Sequence, residues 1–188
     1  GGKAELLAQP PNLCQGCHEA ASSTSHRHAP FEQGDCLICH TPHASDAKGL
    51  LSVPAPGLCN RCHQTKVGEE SVHPPFAAGS CADCHNPHHS ANAKLLTRPA
   101  EKLCLSCHEG ILKGQVQHPP ARDGDCLTCH GAHAGKATPV LKEDASSLCT
   151  TCHAETVKGK IPHAPAQEGH CIACHSPHAS EQPALLKA

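Results

Sequence analysis

The string Cys-x-x-Cys-His occurs eight times and uses all 16 cysteines of the 188-residue chain. It starts at Cys14, Cys36, Cys59, Cys81, Cys104, Cys126, Cys149 and Cys171. The starts at 14, 59, 104 and 149 lie 45 residues apart, and so do those at 36, 81, 126 and 171. The unit is therefore 45 residues long, holds two motifs and runs four times without an insertion. Internal self-similarity of this kind decides the architecture before any local propensity does. We divide the chain at 1–54, 55–99, 100–144 and 145–188, as four repeats of one continuous array.

Other positions keep the same phase. A Leu precedes each first motif (Leu13, Leu58, Leu103, Leu148), and Gly34, Gly79, Gly124 and Gly169 lie two residues before each second motif. Pro30, Pro75, Pro120 and Pro165 recur, as do the apolar pairs Leu50-Leu51, Leu95-Leu96, Val140-Leu141 and Leu185-Leu186. Two histidines outside the motifs recur in every repeat. One set is His28, His73, His118 and His163; the other is His43, His88, His133 and His178. His26, His89 and His170 do not repeat and are read as surface residues.

Composition limits what such a repeat can build. Trp, Tyr and Met are absent and only two Phe are present, Phe31 and Phe76. Large side chains dominate buried area, so the chain's own atoms cannot fill a core that offsets the ordering entropy of this many residues. Something other than side chains must form the interior. Fifteen Gly and 17 Pro, spread throughout, interrupt long helices and strands alike. The expected fold is mostly irregular coil with short α-helical turns and little or no β, in an elongated array.

Charge excludes some functions. Fifteen Lys and Arg face 17 Asp and Glu with no basic block, so nucleic acid is not an expected partner. No apolar run reaches the roughly 18 residues that a membrane helix needs. The chain starts Gly1-Gly2 rather than with Met, as a chain trimmed of a secretion leader would.

In Cys-x-x-Cys-His the two thiols can form thioethers to the vinyl groups of haem, and the next residue, His, lies beneath the iron as an axial ligand. Eight covalent c-type haems are thus expected. Their thioether cysteines are Cys14 and Cys17, Cys36 and Cys39, Cys59 and Cys62, Cys81 and Cys84, Cys104 and Cys107, Cys126 and Cys129, Cys149 and Cys152, and Cys171 and Cys174. The motif ligands are His18, His40, His63, His85, His108, His130, His153 and His175. The eight recurring extra histidines, one per haem, are the candidate second ligands. With no Met in the chain, every six-coordinate iron is expected to be bis-His, at lower potential than a His/Met centre.

Three other chemistries use such cysteines. Cys14-x-x-Cys17 and Cys36-x-x-Cys39 fit a four-thiolate zinc spacing, and an even Cys count fits disulfides. Neither explains a His after every second Cys. Thioredoxin-like redox chemistry needs a βαβ context that the sequence lacks.

The whole chain resembles the multihaem c-type cytochromes with doubled Cys-x-x-Cys-His repeats. Residues 28–43, His-Ala-Pro-Phe-Glu-Gln-Gly-Asp-Cys-Leu-Ile-Cys-His-Thr-Pro-His, carry that likeness. The third repeat departs from it at Ala132, where the others have Pro42, Pro87 and Pro177; His133 keeps its place, so little should change. The resemblance implies haem attachment outside the cytoplasm, stacked haems and electron transfer. Some similar proteins form extracellular filaments; others are periplasmic carriers or conduits inside outer-membrane porins.

Only 17 or 18 residues separate consecutive motifs, so neighbouring haems should be close. A chain of like centres with no open site conducts rather than catalyses. His43 lies too near His40 to clasp the same iron, so it is expected to serve a neighbouring haem. If that neighbour lay in the following repeat, His178 would have no partner within the chain. Both ends fall at one repeat phase (Leu6-Leu7 and Leu185-Leu186) with no polar capping repeat, which suggests a head-to-tail homopolymer. Its electrons would pass to other cytochromes or an extracellular acceptor. A monomeric periplasmic shuttle or a porin conduit is the alternative. A reductase of nitrite or a sulfur oxyanion is a third reading, disfavoured because the histidine count leaves no open iron.

Overall fold

The computed structural model describes residues 8–18, 24–63 and 71–187. Each motif is a single helical turn, and the reason is local. The His amide donates to the carbonyl of the first Cys, at 2.9 Å for His18, His40, His63 and His85 and 3.0 Å for His108, His130 and His175. That bond spans four residues, as in an α-helix, and places both sulfurs and the imidazole around one point. Cys36–Cys39, Cys81–Cys84 and Cys171–Cys174 are one-turn α-helices, and Cys126–Thr128 is its 3-10 counterpart. The longest helix is Ala145–His153, whose Asp144 side chain accepts from the Ser147 amide, an N-cap.

A second helical turn follows each histidine of the first recurring set: Ala29–Gln33, Pro74–Ala77, Pro119–Arg122 and Ala164–Gln167. Pro occupies the first or second position each time, where its missing amide costs nothing. The preceding His is extended, with ψ between 124° and 132°. Before Pro74 and Pro119 that conformation is imposed by the proline ring.

The recurring Gly closes this turn. Gly34, Gly79, Gly124 and Gly169 have φ between 73° and 82°. A β-carbon on Gly34 would lie 2.5 Å from Pro11 Cγ, and one on Gly79 would press into Pro56. The left-handed backbone and the close approach both require glycine.

The recurring apolar pair forms a hairpin around each second motif. Thr41, Asn86, Gly131 and Ser176 donate to the carbonyls of Leu50, Leu95, Val140 and Leu185 at 2.7–2.8 Å. Ser52, Thr97, Lys142 and Lys187 donate back to the second Cys of the motif at 2.8–2.9 Å. Leu50, Leu95, Val140 and Leu185 adopt left-handed φ of 48–58°, which is costly for a branched side chain. The Ser45, Ser90 and Ser180 hydroxyls brace the loop by donating to the carbonyls of Leu51, Leu96 and Leu186; the third repeat has Gly135 there.

Strands are two residues long. β1 (His26–Arg27) pairs antiparallel with β3 (His89–Ser90), β2 (Ser71–Val72) with β5 (Ala134–Gly135), and β4 (Val116–Gln117) with β6 (Ala179–Ser180). Each pair joins the segment before the recurring Pro turn of one repeat to the segment after the second motif of the next. The expected little β is thus three short ladders that tie consecutive repeats together. The chain forms two compact units, Gly1–Thr65 with Gly79–Pro99 and Lys66–Ala78 with Ala100–Ala188. The first holds the β1–β3 ladder and the second the other two.

No apolar side chain is buried among the described residues, as the composition required. Leu37, Ile38, Leu127 and Ile172, all inside motifs, are about half exposed. Mostly coil with short helical turns and repeats in register is the architecture observed.

Gly79→Ala should destabilise the haem-loaded protein by more than about 2 kcal/mol, since left-handed strain of about 1 kcal/mol adds to a steric clash. Denaturant unfolding followed by visible circular dichroism measures it; a change below about 0.5 kcal/mol would refute this account of the turn.

Candidate haem-ligation sites

The structure brings histidines of consecutive repeats face to face. His28 lies 5.9 Å from His63, ring centre to ring centre, with 24° between the planes. His73 and His108 are 6.2 Å apart at 28°, and His118 and His153 are 6.1 Å apart at 31°. In each pair a histidine ahead of a Pro turn meets the first-motif His of the following repeat. The second set runs in the opposite sense. His88 lies 5.9 Å from His40 at 31°, and His178 lies 5.9 Å from His130 at 22°. Here the histidine after a second motif meets the second-motif His of the preceding repeat. His178 therefore faces His130, and the neighbour served is the earlier repeat rather than the later one.

These separations fit one metal ion between two imidazoles. A metal–imidazole bond is about 2.0 Å and the nitrogen lies roughly 1.1 Å from its ring centre, so in-line ligands stand about 6.2 Å apart. The small interplanar angles suit rings that share an axis through the metal.

The ring nitrogens are also prepared. His28, His73 and His118 donate Nδ1–H to the carbonyls of Pro87, Ala132 and Pro177, at 2.8, 3.1 and 3.0 Å. His40, His85, His130 and His175 donate theirs to Gly49, Lys94, Pro139 and Ala184, at 2.9, 2.9, 3.1 and 2.9 Å. Such a bond fixes the tautomer and leaves Nε2 as the lone-pair donor, the usual second partner of a ligating histidine. It also gives the left-handed loop its purpose: the turn at 49–50, 94–95, 139–140 and 184–185 aims a carbonyl at the motif histidine nine residues earlier.

Electrostatics favours the neutral ring. Partial burial, then His40, His89 and His28, holds His88 below the ordinary imidazole range; burial, then His130 and His118, does the same for His178. The shift favours the neutral ring, the form that can donate a lone pair.

Sulfurs of neighbouring motifs lie close together. Burial pushes the Cys36, Cys59 and Cys149 thiols up, and the neighbouring Cys14, Cys81 and Cys171 add to it. In the first, second and fourth repeats the leading cysteines of the two motifs therefore sit together. Cys59 also feels Cys39, and burial raises Cys129 with Cys152 adding, so adjacent repeats meet through sulfur too. None of the 16 sulfurs is in a disulfide. Among the described residues no three His, Cys, Asp or Glu side chains converge as a zinc cluster requires.

Sequence reasoning missed the carbonyl partners. Their signal was constant spacing, nine residues past each second-motif His and one before the second recurring His. Ala132 is tolerated because only its backbone oxygen is used. Of the unrepeated histidines, His26 and His170 are exposed, and His170 lies 3.4 Å from Glu168. His89 is half-buried in β3 and packs 5.6 Å from Phe31, so it is not a simple surface residue. Phe31 and Phe76 lie 5.2 and 4.6 Å from His88 and His133.

The chain matches the doubled CXXCH motif over residues 28–68, 73–112, 118–158 and 163–188, most of its length. It belongs to the doubled CXXCH motif family. No curated protein matches the chain. As a member of this family it is a multihaem c-type cytochrome, with covalently bound c-type haems and a role in electron transfer. Attachment of such haems takes place outside the cytoplasm, and among the described residues no helix is long and apolar enough to cross a membrane.

Two outcomes follow from this chemistry. The haem absorbance should stay with the polypeptide after denaturation and acid–solvent extraction, because thioethers do not hydrolyse; loss to the solvent phase would refute covalent attachment. Ala132→Pro, which keeps the carbonyl, should leave the low-spin spectrum unchanged and alter stability by less than about 0.5 kcal/mol.

Proposed function

We propose that this chain is an octahaem conductor with one haem per motif, and that it works as the subunit of an extracellular filament. The observation that supports it most is the pairing of imidazoles from consecutive repeats. Each motif supplies two thioether sulfurs and one axial His. The second ligand comes from the next repeat for His28, His73 and His118, and from the previous one for His88 and His178. The haems, when bound, supply one-electron chemistry. The chain's part is to clamp each iron from both sides, hold the Nδ1 protons on backbone carbonyls, and keep successive attachment points adjacent. A His on both faces closes the iron to substrates, which favours transfer over catalysis.

The filament reading is supported by the repetition of one 45-residue unit, whose contacts with its neighbour a further copy can reproduce. Its partners would be further copies of itself, other cytochromes or an extracellular acceptor. A periplasmic shuttle or porin conduit is the alternative and would use the same ligation.

Electron microscopy of the native haem-loaded protein should show filaments whose repeat matches one eight-haem subunit. Discrete particles of single-chain size, at every salt concentration and pH, would overturn the filament. Substituting His118→Ala should open one iron of the eight, so that about one-eighth of the reduced haem binds carbon monoxide; no change in the spectrum would remove His118 from the ligand set.

A further inference from the structure

Two neighbouring ligand pairs meet at one peptide group. His28 faces His63, and His88 faces His40. The His28 amide donates to the His88 carbonyl at 2.9 Å, and His28 Nδ1–H donates to the Pro87 carbonyl at 2.8 Å. The Pro87 carbonyl and the His88 N–H are the two poles of a single peptide. That N–H donates to Asn86 Oδ1 at 2.9 Å, and the His89 N–H donates to the same oxygen at 3.4 Å. An unbroken hydrogen-bond chain therefore runs from Asn86 Oδ1 through the Pro87–His88 peptide to His28 Nδ1. The members of such a chain polarise one another. An acceptor on the N–H pushes electron density onto the carbonyl oxygen of the same peptide, which then holds the His28 proton more strongly.

The chain is particular to the second repeat. The other repeats have Thr41, Gly131 and Ser176 at the phase of Asn86. Thr41 turns its hydroxyl to the Ala44 carbonyl at 2.8 Å. Gly131 has no side chain, and a β-carbon there would strike the Ala134 carbonyl. Among the described residues the Ser176 hydroxyl makes no bond to the His178 amide. The Nδ1 bonds follow the same order: 2.8 Å for His28, against 3.1 Å for His73 and 3.0 Å for His118. The main chain at 86 is otherwise that at 176. Each amide donates across its loop, Asn86 to Leu95 at 2.7 Å and Ser176 to Leu185 at 2.8 Å. What differs is the acceptor that the side chain supplies.

We propose that Asn86 is a positioning residue that makes the iron held by His28 and His63 harder to reduce. A proton drawn toward a carbonyl at Nδ1 gives the ring more imidazolate character and makes Nε2 a stronger donor. A stronger donor stabilises the ferric state, so hydrogen bonding behind the ligand lowers the potential. Asn86 acts through the peptide rather than on either ring. Its bond is to the amide of His88, a ligand of the neighbouring site, so the loop that seats one iron's ligand sets the potential of the next iron. An array of like repeats is thereby given a centre that its sequence-equivalent partners do not match. The proposal rests on the ligand pairs of the octahaem conductor and not on its assembly.

Spectroelectrochemical titration of the haem-loaded 188-residue chain tests this, with carbon monoxide binding to the reduced protein read beside it. Asn86→Gly removes the acceptor and keeps the loop amide. The reduction equilibrium of one iron in eight should move about threefold toward the ferrous state, the scale of one weakened hydrogen bond. Carbon monoxide binding should stay at the parent level, because both rings remain on the iron. Ser176→Asn supplies the acceptor in the fourth repeat and should move one iron, that of His118 and His153, in the opposite direction. General loosening of the fold cannot produce that second shift. Combined with His28→Ala, which cuts the chain at its far end, Asn86→Gly should move no further iron. Potentials that hold in both single variants would overturn the role of Asn86 and leave the ligand pairs standing. A rise in carbon monoxide binding for Asn86→Gly would also overturn it, since Asn86 would then be keeping His88 on its own iron. If His118→Ala opens no iron, the ligand pairs themselves fall and the proposal falls with them.

Discussion

The structure depends on the offset between the histidine that sits beside the sulfurs and the histidine that faces it. A motif fixes its own His by a four-residue hydrogen bond, so that imidazole has one position relative to its cysteines. The facing ring comes from another repeat, 35 residues away between His28 and His63 and 48 between His40 and His88. Each such pair would become a long-range crosslink of the chain once a haem iron is held between the rings. Exposed salt bridges such as Arg122–Asp123 contribute little by comparison. A chain with no buried apolar side chain among its described residues has its order set by these pairings and the short ladders beside them.

Much of this was legible because the motif spacing is rigid. The sulfurs, the motif histidines and the two further histidine sets could be read from phase alone. The coil-rich fold followed from 32 Gly and Pro residues and the lack of large side chains. The pairing itself was not legible. The choice between an earlier and a later neighbour for the His43-type ring depends on how the repeats stack, and every repeat looks alike along the sequence. Two features settle it in the structure: the ladder between His26–Arg27 and His89–Ser90, and the bond from His28 Nδ1 to Pro87 O. The left-handed φ at Leu50, Lys94, Leu95, Val140, Ala184 and Leu185 was hidden for a different reason. Propensity argues against that conformation at such residues, and the carbonyl on the motif histidine is what the strain maintains.

The departures between repeats bear on which atoms matter. Ala132 replaces Pro and His133 is still held, because the contact to His73 is through a carbonyl. Lys94 and Ala184 take the place of Gly49 at a left-handed position, and each still presents its carbonyl to the motif histidine. Phe31 and Phe76 become Ala121 and Ala166, and His178 nonetheless stands opposite His130 at 5.9 Å, as His88 does opposite His40. Backbone geometry, fixed by glycine at 34, 79, 124 and 169, carries more of the site than side-chain packing does.

An offset pairing has a consequence that a paired-within-repeat design would not. If each repeat held its own two ligand pairs completely, one repeat could be deleted without touching the sites of the next. With histidines exchanged between neighbours, His28 with His63 and His40 with His88, neither repeat completes its pairs alone. The short ladder between His26–Arg27 and His89–Ser90 sets the register in which the rings meet. Ligation and the stacking of one repeat on the next are therefore the same contact, and a change that weakens one weakens the other.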